Sequence, residues 1–144
     1  MNQRMGSRRL EMAAKRVEAL WKAAQTWWQC NSEEEMLTPV QQCSDEALEL
    51  ARDCREFVEL IARSKQCPPK ALALAIELTK HQPRVRNLGE RLYMLHEAML
   101  ADKNVALSVH HMKSEVTECT VAVALALRLF GKTVLLPKMD RAGA

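Results

Sequence analysis

Four stretches of 20 to 30 residues each carry apolar side chains at alternating steps of three and four, and this spacing dominates the chain. In a helix it gathers the apolar residues into one stripe and leaves the rest of the surface polar. Ala, Leu, Glu, Met, Lys and Arg, the strong helix formers, fill these stretches. Aromatic residues make up only 4% of the chain, and it has four glycines. An all-β domain needs many turns and many β-branched and aromatic residues, so this composition argues against one. The expected fold is all-α: an up-down-up-down four-helix bundle joined by short links.

The first stripe, Leu10, Ala13, Val17, Leu20, Ala24 and Trp27, predicts a helix over Ser7 to Trp28, with Ser7 as N-cap. Ser32 and Glu35 have capping-box spacing and predict a brief turn. Thr38-Pro39 reads as the better start of the second helix, because proline is favoured at the first helical position. The stripe Val40, Cys43, Ala47, Leu50, Cys54, Phe57 and Ile61 carries that helix to about Arg63. The third begins at Pro68-Pro69 with Leu72, Leu74, Ala75, Ile76 and Leu78. It resumes beyond Pro83 with Val85, Leu88, Leu92, Leu95 and Met99, so it is expected to be kinked or broken at Pro83. Gly89 weakens that helix and points to a close helix crossing. The last stripe runs from Val105 to Phe130, and Gly131 sits where a C-cap glycine belongs. Residues 1–131 are expected as one helical domain and 132–144 as a loosely ordered tail, although Val134, Leu135 and Leu136 offer a segment able to pack back.

Chemistry finds little purchase. No Glu-x-x-His, no HExxH and no four-ligand zinc spacing is present, and His110 and His111 diverge by about 100° on a helix. Cys43, Cys54 and Cys119 fall on the apolar stripes, where a thiol acts as a small core side chain. Cys67, beside two prolines, is the candidate reactive thiol, with no partner visible. Four scattered glycines make no phosphate cradle. The expectation is a non-enzymatic chain with no catalytic residue, metal or cofactor. Five spread cysteines with no CxxC pair suggest reduced thiols in the cytoplasm or nucleus. The longest apolar run is too short to span a membrane, which takes about 20 residues.

Three features carry binding expectations. The first is the run Cys119 to Phe130, with only Thr120 and Arg128 polar. An outer helix of a bundle keeps a polar face, yet Val121, Leu125 and Leu129 lie outside the main stripe. Either the first-helix tryptophans and the tail cover them, or another chain does. The second is the cluster Trp21, Trp27 and Trp28: Trp27 continues the stripe, and Trp28 is either part of a wide buried face or an exposed anchor.

The third is charge segregation. Residues 1–30 hold six basic and two acidic side chains, whereas residues 39–64 hold six acidic and three basic. Arg8, Arg9, Lys15 and Arg16 form either a basic face for nucleic acid or an acidic partner, or one side of a complementary helix pair. The net charge of +3 is modest for a nucleic-acid binder. The first reading is a helical adaptor, scaffold or regulatory module that binds another protein or forms a homodimer. A nucleic-acid-associated regulator is the alternative.

Overall fold

The computed structural model describes residues 3–139, with side chains from Gly6 onward. Among these residues it has four helices and no strand: α1 (Gln3–Gln29), α2 (Glu33–Arg63), α3 (Pro69–Leu100) and α4 (Ala106–Leu129). The links are a few residues long, too short for anything but antiparallel neighbours. α2 packs along α1 and α3, and α4 closes the bundle against α3 and α1. The expected up-down-up-down four-helix bundle is the observed one. The stripes form its core, with Leu20, Trp27, Leu50, Leu78, Leu88, Leu92 and Leu127 fully buried.

Helix boundaries moved where capping outweighed the proline signal. Ser7 lies within α1, not at its cap. α2 starts at Glu33, and Pro39 sits inside it. Ser32 Oγ accepts the Glu35 N–H at 3.2 Å, and Glu35 Oε2 accepts the Asn31 N–H at 3.1 Å. Three glutamates in the first turn complement the helix dipole. Pro39 has no N–H for the Glu35 carbonyl four residues back. The Cys30 thiol lies between that carbonyl, at 3.4 Å, and the Thr26 carbonyl, at 3.2 Å, so its single hydrogen is within reach of either.

α3 is helical straight through Pro83, so of the two alternatives expected there, a kink or a break, the break is absent. Both α3 and α4 end in Schellman-type caps, in which the chain turns back through a left-handed residue. Asp102 fills this place after α3 with φ 59°, and Gly131 after α4 with φ 88°. The Lys103 N–H reaches the Ala98 carbonyl, and the Lys132 N–H reaches that of Leu127.

Gly89 is a close crossing, as its position suggested. A Cβ there would lie 2.7 Å from Leu48 Cγ and 3.1 Å from the Leu48 backbone nitrogen. Ser44 Oγ, buried in the same crossing, donates to the Gly89 carbonyl at 2.9 Å. The missing side chain is what lets α2 and α3 approach at this level.

The segment 132–139, expected as a loose tail, lies against α1 and α4. Val134 is buried, and its carbonyl accepts from Arg128 Nε at 3.0 Å and Nη2 at 2.6 Å. The Leu135 N–H donates to Glu18 Oε2 at 2.7 Å, and Trp21 Nε1 donates to the Pro137 carbonyl at 2.7 Å. Side chains of the bundle thus read the main chain of an extended segment. The end of the expected tail, 140–144, lies outside the described residues.

Candidate interaction face

Packing divides the apolar run at the end of α4. Val123, Ala124, Ala126 and Leu127 turn into the core. Val121 is half-buried, while Leu125 and Leu129 stay 52% and 77% exposed. Leu125 and Leu129 are one turn apart on the outer face, and Val121 is one turn earlier on the side toward α1. The docked tail lies along the α1 side and leaves Leu125 and Leu129 open.

Two further side chains join them. Arg84 on α3 donates from Nε to Glu115 Oε1 at 3.0 Å and lies 3.8 Å from Glu118, both on α4. These pairs fix the register of two antiparallel helices. Twelve residues before Arg84, Leu72 falls level with residues 127–130; eight before, Ile76 falls level with 123–126. The nearness of Lys70 Nζ to Gly131 supports the same register. Leu72 and Ile76 are 50% and 53% exposed. Leu72 and Ile76 on α3 thus stand at the heights of Leu129 and Leu125 on α4, and all four are at least half exposed.

Toward its other end, the same seam holds a groove of about 470 Å³. Met94 and Leu107 stand exposed at it, and Leu95 and Met112 line it beside Arg91 and His111. Leu72 and Ile76 were not among the expected site residues. The signal for them existed: Leu72, Leu74, Ala75, Ile76 and Leu78 are more apolar positions than one stripe accommodates.

Trp28 belongs elsewhere. Its indole N–H donates to Thr117 Oγ1 at 3.0 Å, and Lys113 Nζ sits 4.9 Å from its ring centroid. It seals the α1–α4 seam and is not brought to Leu125. Trp21 is buried beneath the tail and Trp27 lies in the core.

The basic residues of α1 split into two sets. Arg9 pairs with Glu56 at 2.7 Å, and Arg16 with Glu46 at 3.3 Å. Both also approach Asp53, at 4.0 and 3.8 Å. Arg8 and Lys15 point to solvent. The charge segregation of the sequence therefore corresponds, at Arg9 and Arg16, to contact between α1 and α2.

Asp53 is the one acidic residue among the described residues that is fully buried. Neither carboxylate oxygen has a hydrogen bond. Burial pushes its carboxyl above the ordinary range, against the pull of Arg16, Arg52 and Arg9. A carboxyl raised in the folded state contributes stability below its unfolded value, about 3.9. That contribution is lost as pH rises through the folded value. Asp53→Asn is therefore expected to stabilise the fold at pH 7, where the buried carboxylate must otherwise be charged. The gain should shrink toward zero as pH falls to about 3.5, below the ordinary carboxylate value. Urea denaturation at both pH values checks this, and a loss of stability at pH 7 would show the carboxylate to be favourably paired.

Burial disfavours the thiolate form of the core cysteines. Burial raises Cys43, and pushes Cys54 to about 12 and Cys119 to about 11. Among the described residues no group of three or more His, Cys, Asp or Glu side chains is placed to hold a metal ion. Among the described residues no helix is long and apolar enough to cross a membrane. Comparison of the chain with protein-family models, curated proteins and solved structures gave no match.

Proposed function

We propose that this protein is a non-enzymatic helical interaction module that docks another protein chain on the outer face of α3 and α4. The observation that carries the reading is the matched heights of Leu72 with Leu129 and Ile76 with Leu125, four aliphatic side chains at least half exposed. Isolated exposed leucines are ordinary, whereas a contiguous patch of them marks an interaction surface. The groove beside Met94 and Leu107 extends the patch along the same seam, and flexible methionines suit such surfaces. Val121, at the edge toward α1, belongs to the rim.

A nucleic-acid role through Arg8, Arg9, Lys15 and Arg16 has weaker support. Phosphate binding would compete with carboxylates already beside Arg9 and Arg16. It would leave Arg8 and Lys15 as the open cations of that set.

The test compares the wild-type chain and Leu125→Asp in extracts of its native cells by size-exclusion chromatography. The wild type is expected in an assembly larger than one chain, and Leu125→Asp at the size of a folded monomer. An unchanged elution position for a folded Leu125→Asp chain would sink the reading.

A further inference from the structure

We infer that the chain docked on this face is a second copy of the same protein, related by a twofold axis parallel to the bundle. The inference rests on the reading of the α3–α4 face as a docking surface, and it names the partner.

The face is self-complementary level by level. Leu72 and Ile76 on α3 stand level with Leu129 and Leu125 on α4. In the middle, Arg84 on α3 stands level with Glu115 and Glu118 on α4. At the far end, Met94 on α3 stands level with Leu107 on α4, both at the groove. A twofold axis along the bundle lays α3 of each protomer on α4 of the other at unchanged height. Aliphatic side chains then meet aliphatic ones at both ends, and Arg84 meets the partner's Glu118 in the middle.

The other in-plane axis, running across the helices, lays α3 on α3. Placed at the level of Arg84, it brings Arg84 against Arg84 and Glu118 against Glu118, and like charges facing each other across an interface are strongly disfavoured. The charges therefore select the axis. Glu118 is suited to the exchange because its side chain is 70% exposed and only 3.8 Å from its own Arg84.

The size of the face is sufficient. From the level of Leu72 to that of Met94 it runs about 33 Å at 1.5 Å per residue. Two helices, each about 10 Å wide, give on the order of 660 Å² of footprint. That approaches the roughly 800 Å² per partner of a standard stable interface.

The test is sedimentation equilibrium of the full chain, with circular dichroism to confirm folding. Wild type is expected to be dimeric. Arg84→Glu and Glu118→Arg, each alone, are expected to weaken the dimer about tenfold or more, since each places like charges across the interface. An equimolar mixture of the two is expected to form a heterodimer about as tight as wild type. Each variant also sets like charges together within its own chain, so a purely intramolecular role would leave the mixture as weak as its components. The double variant Arg84→Glu/Glu118→Arg is expected to dimerise again.

A mixture that stays as weak as its components overturns the inference, as does a wild type monomeric at every concentration. Neither result touches the docking reading itself. That reading fails if Leu125→Asp leaves the native assembly unchanged.

Discussion

Gly89→Val is expected to destabilise the bundle by about 3 kcal/mol, at the upper end of the cost of overpacking a close-packed site. A Cβ at this position meets Leu48 Cγ and Cδ2 at 2.7 Å and the Leu48 backbone nitrogen at 3.1 Å. The side-chain contact can be relieved by a new Leu48 rotamer, but the backbone contact requires α2 and α3 to separate. Separation also strains the bond from Ser44 to the Gly89 carbonyl. Gly89→Ala should cost less, about 1 kcal/mol, because alanine recovers roughly 1 kcal/mol of helix propensity. A double-mutant cycle with Leu48→Ala localises the effect. The pair should couple by about 1 kcal/mol, since truncating Leu48 removes the side-chain clash and leaves the backbone one. Urea denaturation measures all three. Additive effects would mean that the crossing is not where the strain falls.

The second large effect is that of Leu125→Asp on association. Fully burying a leucine contributes about 1.5–3 kcal/mol. In a twofold dimer the residue occurs twice, and an aspartate there adds the cost of desolvating a charge. Association should weaken by on the order of 100-fold or more. The folded monomer should lose only about 1 kcal/mol, because Leu125 is half exposed and aspartate is a poorer helix former than leucine. Light scattering and thermal denaturation on the same samples separate the two. A stability loss that matches the association loss would make Leu125 a fold residue, not a docking residue.

The helices were legible in the sequence because each buries one stripe, and a stripe repeats in the letters themselves. Two things at the ends were not. The start of α2 turned on Pro39, which reads as a first-turn proline until the cap at Ser32 and the Cys30 thiol at the Glu35 carbonyl are seen. The docking of 132–139 left no periodic trace, because α1 side chains more than a hundred residues away hold its main chain.

The candidate face was half legible. Leu125 and Leu129 stood out as apolar residues beyond what one stripe needs. Leu72 and Ile76 could not be placed beside them, because that depends on the register between α3 and α4, which Arg84 sets with Glu115 and Glu118. Trp28 and the pair Arg9 and Arg16 were ambiguous for the same reason. Each contact that engages them comes from another helix.

The central claim is that the outer face of α3 and α4 is where this protein meets another chain. A photo-reactive amino acid at position 125, irradiated in extracts of the native cells, tests it most directly. Gln42, exposed on α2, supplies the control position. The expected result is a discrete, saturable adduct from position 125, at twice the mass of the chain, and none from position 42. An adduct of another mass would keep the face and replace the second copy with a different partner. No adduct from position 125 above that from position 42 would contradict the claim.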